Sequence, residues 1–371
     1  MNTSTKIFLL LLFSLWLIGL RAQDPTFSQF DANQLYYNPA YAGYKQEARV
    51  EISYRNLWPN VPGKDVPGPL STYSAAGDAF ISVQNKFNAG AGGFVMQDVE
   101  GQGFLTTSSA GIFYSQHMPH IRSRSDRMDR FNVYFGVKVY YNDIHVDWSR
   151  FVFSDQLNAN YGITGPSSFN QTSLSNRSYM DFDYGVLIRN NFRAQGKWYN
   201  ELGFSMAHVL EPSISLTGAN SDASRLPRKY VATYRGTVSL SDDNFFIGPT
   251  VLFENQAKFY EVNGGVDFYF KMKSKHESIP LSIGLYDRFS FITKNSETGE
   301  QKINTSAIIL AITHRGNFVT GRNTLGYSIG ASVDFPYGGL GMQTAGAYEI
   351  NLGLMIPYKR SNTIKCPFEA F

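Results

Sequence analysis

The sequence is short of cysteine, of unbalanced charge and of long apolar runs, and each shortage excludes a class of protein. Cys366 is the only cysteine among 371 residues, so no intramolecular disulfide can form and a disulfide-stapled fold is excluded. The formal net charge of +3 provides no basic field for a nucleic-acid partner. One long apolar run is present, IFLLLLFSLWLIGL at 7–20. With Lys6 before it and the small Ala22 after it, it reads as the core of a signal peptide over residues 1–22. It is short for a bilayer span, and no cysteine follows it to carry a lipid anchor. Beyond Leu20 no segment reaches the roughly 18 apolar residues of a membrane-spanning helix. Removing 22 residues from 371 leaves 349, enough to bury a core without staples. Lys6 and Arg21 leave with the leader, so the charge falls from +3 to +1.

Catalytic signatures are lacking too. There is no HExxH, no phosphate-binding P-loop, no dinucleotide glycine pattern and no nucleophile elbow. His117 and His120 lie three apart ahead of RSRSDRMDR (122–130), which reads as a solvated turn and not as a metal pair. GQGFLTTS at 101–108 precedes a strand, where a phosphate cradle needs a helix N-terminus. The expectation is a protein that is not an enzyme and uses no cofactor or metal.

What the chain does have is 29 Phe, 23 Tyr and 33 Gly, arranged in short alternating runs between polar or Gly/Pro-rich turns. Fourteen such runs fall near 47–58, 71–83, 89–98, 105–116, 130–141, 180–190, 199–209, 229–240, 244–256, 258–270, 280–291, 304–314, 324–334 and 346–357. Each has about 10–13 residues, the length of a tilted strand crossing a bilayer. In RFNVYFGVKVYY, Phe131, Val133, Phe135, Val137, Val139 and Tyr141 share one face, and Asn132, Tyr134, Gly136, Lys138 and Tyr140 share the other. In the first run Ala48, Val50, Ile52 and Tyr54 alternate with Arg49, Glu51, Ser53 and Arg55. On lipid, Arg or Lys would each cost roughly 2–4 kcal/mol at the midplane, so the charged face belongs in a polar lumen. The pattern predicts an all-β, transmembrane antiparallel β-barrel of 14 strands with periplasmic termini, located in the outer membrane. A secreted β-sandwich would also alternate, but its strands average nearer 5–6 residues. Aromatics at run ends (Trp58, Tyr140, Tyr141, Phe289, Phe291, Tyr358) suggest an interfacial girdle. The barrel is expected over 47–358, a periplasmic or lumen-inserted segment over 23–46, and a tail over 359–371, where Pro367 disfavours a further strand. The long gap 142–179 should face outward.

The stretch QDPTFSQFDANQLYYNPAYAG (23–43) has five aromatics in no regular period and two prolines that fix φ. Those aromatics have too few sequence neighbours to bury one another and need a partner surface. Part of 23–43 is expected to insert into the lumen near the periplasmic rim, aimed into the first strand by YYNPAYAG.

DPTFSQF, the LYYNPAYAG block and YRNLWP (54–59) together resemble the start of the PorP/SprF family of Bacteroidetes outer-membrane proteins, with Leu57 where a Gln is usual. GFVMQDVEGQGFLTTSSAGIFYS, YNELGFSMAHVLEPSISL, LPRKYVATYRG, GAYEINLGLMIPYKR and CPFEAF extend the resemblance over nearly the whole chain. The resemblance implies a role in type IX secretion and gliding motility: export or surface attachment of a large adhesin through its type B C-terminal targeting domain. It implies outer-membrane lipid, that adhesin, and periplasmic and lipoprotein parts of the machinery as partners. Phe27, Phe30, Tyr37, Asn38, Pro39, Tyr54, Arg55 and Trp58 are the signature or docking candidates. The alternative is an outer-membrane channel for small solutes with an N-terminal plug.

Overall fold

In the computed structural model of the protein the described residues are 24–59, 70–83, 87–101, 105–118, 131–158, 162–163, 165–168, 176–192, 198–216, 224–241, 244–273, 278–292, 302–303, 306–320, 323–337 and 345–357. The expected signal peptide 1–22, the turn 122–130, Tyr358 and the tail 359–371 lie outside them.

Each expected run is a strand. They are β1 (Glu47–Leu57), β2 (Leu70–Val83), β3 (Phe87–Glu100), β4 (Leu105–His117), β5 (Phe131–Val146), β6 (Asn176–Phe192) and β7 (Trp198–Ala207). The wall continues with β8 (Lys229–Ser241), β9 (Phe245–Gln256), β10 (Phe259–Lys273), β11 (Ser278–Ile292), β12 (Ala307–Thr320), β13 (Asn323–Pro336) and β14 (Ala347–Pro357). Every strand pairs antiparallel with its sequence neighbours, and β1 pairs with β14 from Glu47↔Pro357 to Leu57↔Ala347. The result is a closed 14-strand meander with no free edge. No helix among the described residues is long and apolar enough to cross a membrane.

The wall begins and ends at one rim, at Glu47 and Pro357. Connections at the opposite rim include the long 147–175 and 208–228. In outer-membrane barrels the longer loops face outward, so the terminus-bearing rim is the periplasmic, inner one.

The period of 2 sorts the side chains as the alternation requires. Val50, Ile52, Val137, Val139, Leu352 and Leu354 lie exposed on the lipid-facing exterior. Arg49, Arg55, Lys138, Asp183, Glu261 and Glu349 are buried inside. Tyr140 departs from the expected girdle: its position on β5 turns it inward, where its hydroxyl donates to Asp183 at 2.9 Å. β5 runs on to Val146 and β6 begins at Asn176, so the outer gap is shorter than expected. It carries two 3-10 turns, Trp148–Arg150 and Ser154–Gln156, and a two-residue pairing of Leu157–Asn158 with Gly162–Ile163.

Candidate functional site: a segment threaded through the lumen

Residues 24–46 lie inside the barrel. Asp24 sits by the outer rim: its carboxylate is 2.7 Å from His208 Nε2, and its N–H donates to Gln256 at 3.1 Å. His208 and Gln256 stand at the outer ends of β7 and β9. At the inner rim Ala42 O lies 3.0 Å from His117 Nε2, at the end of β4. Between them come a single helical turn, α1 (Gln34–Tyr37), and a 3-10 turn, Pro39–Tyr41. The segment therefore spans the lumen from the outer rim to the inner one. The expected insertion near the periplasmic rim describes only its last turn. Gly43, at φ 66°, adopts the left-handed backbone needed to fold the chain back into β1. Its N–H donates to Asp78 at 2.5 Å, and Arg49 holds that carboxylate from the other side, also at 2.5 Å.

The first half of the segment is held by charge. Ser28 is fully buried. Its N–H donates to Glu349 at 2.6 Å and its hydroxyl to Asp334 at 2.7 Å. Arg55 pairs with Asp334 at 3.2 Å and Glu349 at 3.4 Å and also reaches the Ser28 hydroxyl. Arg288 pairs with Asp334 at 2.7 Å and Glu261 at 3.3 Å. Two guanidiniums thus share three carboxylates inside the wall, a network in which each ion keeps a partner. Asp31 pairs with Arg235 and Arg315.

Phe27, Phe30 and Tyr37 pack into one apolar cluster with Val231, Leu252, Tyr286, Ile309 and Ala311 of the wall. Phe27 meets Tyr36 edge-on at 5.2 Å, and its N–H donates to the Tyr37 hydroxyl at 2.8 Å. The second half is held by backbone fit. Asn38 donates to Val186 O at 3.0 Å and Phe204 O at 3.2 Å, while its side-chain oxygen accepts from Ala40 N at 2.9 Å. Pro39 opens the 3-10 turn, where its fixed φ suits the first position. A Cβ on Gly136 would stand 2.1 Å from Ala40 N, and one on Gly185 2.1 Å from Asn38 Oδ1.

The lumen thus gathers six of the eight signature residues: Phe27, Phe30, Tyr37, Asn38, Pro39 and Arg55. Tyr54 instead lies outside, its ring tilted against Tyr73 at 4.9 Å and edge-on to Tyr348 at 6.0 Å. Trp58 lies beyond β1 at the outer rim, with φ 56° and its N–H donating to Gly346 at 2.7 Å. Asp334, Glu349, Arg288 and Asp78 were not singled out from the sequence. Alternation puts Glu349 on the inward face, but only the folded register brings it to Ser28. Among the described residues no three His, Cys, Asp or Glu are placed to hold a metal.

A closed barrel with an apolar exterior, a charged interior and its own N-terminal segment as a plug is an integral outer-membrane β-barrel protein. The chain belongs to the family described as type IX secretion system membrane protein PorP/SprF, which matches residues 20–354. This is a family of secretion-system membrane proteins and not of enzymes. No curated protein matches the chain. Among solved structures it is similar to a Pseudomonas aeruginosa FadL homologue, with 12% identity and TM-score 0.46 over 87% of this chain and 93% of that one. It is also similar to the CymD monoaromatic hydrocarbon channel, with 7% identity and TM-score 0.44 over 87% and 91%. A third is Acinetobacter baumannii Omp33, with 10% identity and TM-score 0.34 over 85% and 100%.

Proposed function

We propose that the protein supports export or surface attachment of a large adhesin by binding the adhesin's type B C-terminal targeting domain at the outer mouth. Periplasmic and lipoprotein components of the secretion or gliding machinery would engage the inner rim. The observation that carries this reading is the occupied lumen: residues 24–46 run through it and are tied to the wall by ion pairs of Asp24 with His208 and of Asp31 with Arg235 and Arg315. A barrel whose bore is filled by its own chain is suited to holding partners at its mouths. The outer loop adds a surface for this. Trp148, Phe151 and Phe153 stack there at 5.2 and 6.3 Å, and Val152, Leu157 and Ile163 are exposed nearby. Clustered exposed apolar groups of this kind mark interaction sites. Conducting small solutes would require releasing the plug and breaking the pairs of Asp24 with His208 and of Asp31 with Arg235 and Arg315, which counts against the channel reading.

Deleting the gene tests both. Brief protease treatment of intact cells should release a large surface protein from the parent and not from the deletion strain, with small-solute uptake unchanged. Normal surface display with lowered uptake would replace the binding role by the channel.

A further inference from the structure

Beside the plug, toward β3–β8 and the outer rim, lies a cavity of about 220 Å³. Tyr36 of the plug, Phe94, Met96 and Ile144 of the wall, and Leu216 and Leu226 of the outer loop 208–228 give it a mainly apolar lining. That loop is held over the cavity by its own hydrogen bonds. The Ile214 N–H donates to Ser224 O and the Leu226 N–H to Pro212 O, both at 2.9 Å, and Arg177 of β6 donates to Ser213 O at 2.9 Å.

The charged groups around it already have partners inside the protein. Lys138 pairs with Asp183 at 2.6 Å, and Lys229 pairs with Glu254 at 2.7 Å. His208 lies between Asp24 and Asp181, 2.7 Å from each. Asp98 and Glu100 hydrogen-bond to each other, and Asp98 also accepts from the Thr72 hydroxyl at 2.5 Å. The aromatic faces are taken as well. The Lys138 ammonium stands 5.3 Å from the ring centre of Phe94 and 5.0 Å from that of Tyr140, and Lys229 stands 5.2 Å from that of Tyr36. A charged ligand would give up its water here without meeting a free opposite charge. One buried polar atom of the lining differs. Asn142 of β5 is 3% exposed, and its Oδ1 accepts from the Ser109 hydroxyl. Its Nδ2 is buried with no hydrogen-bond partner among the described residues. A buried donor left unmade is costly, and an acceptor on a ligand removes that cost.

We propose that this cavity binds a neutral, mainly apolar small molecule with one hydrogen-bond acceptor, such as an aryl ketone. Its carbonyl oxygen accepts from Asn142 Nδ2, and its ring packs against the edges of Phe94 and Tyr36 and the side chains of Leu216 and Leu226. A cavity of about 150 Å³ suffices for benzene, so this one has room for a ring with a short side chain. The ligand lies beside the plug and leaves the plug's ion pairs in place, so its binding stabilises the plugged barrel.

Acetophenone, benzylammonium and benzoate share a ring and differ in charge, and they are the probes, added to the purified detergent-solubilised protein. Acetophenone should raise the thermal unfolding midpoint by several degrees, and neither ion should. Asn142→Leu keeps the volume and removes the donor, so it should bind acetophenone about tenfold more weakly, the loss of one hydrogen bond. Thr107→Trp places a large ring in the cavity and should abolish binding. No shift with acetophenone, an equal shift with either ion, or undiminished binding by either variant would each overturn the site. Should a variant fail to fold, crystals of the wild-type protein soaked in 4-bromoacetophenone decide. Anomalous bromine density beside Phe94 and Asn142 upholds the site, and bromine absent or found only on the detergent-covered exterior overturns it. Every readout is made on the isolated protein, so the site and the adhesin role fail separately.

Discussion

The two halves of the lumen segment are secured by different physics. From Asp24 to Asn33 the chain is surrounded by ionised side chains: His208 and Lys229 near Asp24, Arg55 with Asp334 and Glu349 around Ser28, and Arg235 with Arg315 at Asp31. From Tyr37 to Ala42 the contacts are mostly made through the segment's own backbone. Ser115 donates to Ala40 O at 3.1 Å, Ser205 donates to Tyr37 O at 2.5 Å, and glycines in the wall let the main chain come close. The charged half depends on which side chains are present, and each can be traded for another polar group. The close-packed half depends on the absence of atoms, and no substitution restores that space.

The largest effect should therefore come from the smallest change. In Gly136→Ala the new methyl would meet Ala40 N and Pro39 C, both backbone atoms that cannot rotate away. We expect loss of the compact, heat-modifiable barrel on gels, or a barrel with raised single-channel conductance because the plug is displaced. Gly101→Ala is the control: that Cβ would meet nothing within 4 Å, although the position has φ 67°, so a modest loss is expected there. If Gly136→Ala behaved like wild type, the close-fit account of the second half would be wrong. In the charged half, Arg55→Ala should destabilise by about 3–5 kcal/mol, because Glu349 loses its guanidinium while staying buried. Arg55→Lys should recover part of this. Phe27→Ala should destabilise by about 3–5 kcal/mol, with Phe30→Ala and Tyr37→Ala alongside it, read as lower unfolding midpoints in detergent. Unchanged midpoints for all three would remove the aromatic anchor.

The wall was legible in the sequence because its signal is local. Each strand announces itself by a period of 2 in its own residues, as Tyr348, Ile350 and Leu352 do against Glu349 and Asn351. The plug was only half legible. A patternless aromatic stretch with two prolines says that a partner surface exists, but not how far along it the chain runs. The depth is set by pairs such as Asp24 with His208 and Ser28 with Glu349, which are 184 and 321 residues apart. Gly136 and Gly185 read locally as inward wall glycines. That they are vacancies shaped for Ala40 and Asn38 is visible only after folding.

The smallest expected effect tests the boundary between the two halves, at Asn38. Its amide satisfies two wall carbonyls and caps the 3-10 turn, yet it carries no charge. Asn38→Ala removes those bonds from groups that still belong to the wall, so about 1–3 kcal/mol should be lost. Asn38→Asp keeps the cap to Ala40 N but turns a carboxylate oxygen toward Val186 O and Phe204 O, both acceptors. If the second half is held by fit and neutral hydrogen bonds, Asp should be worse than Ala at pH 7, and the gap should narrow as acid protonates the carboxyl group. If Asp were instead tolerated as well as Asn, the cap alone would hold this point, and the wall carbonyls would contribute nothing.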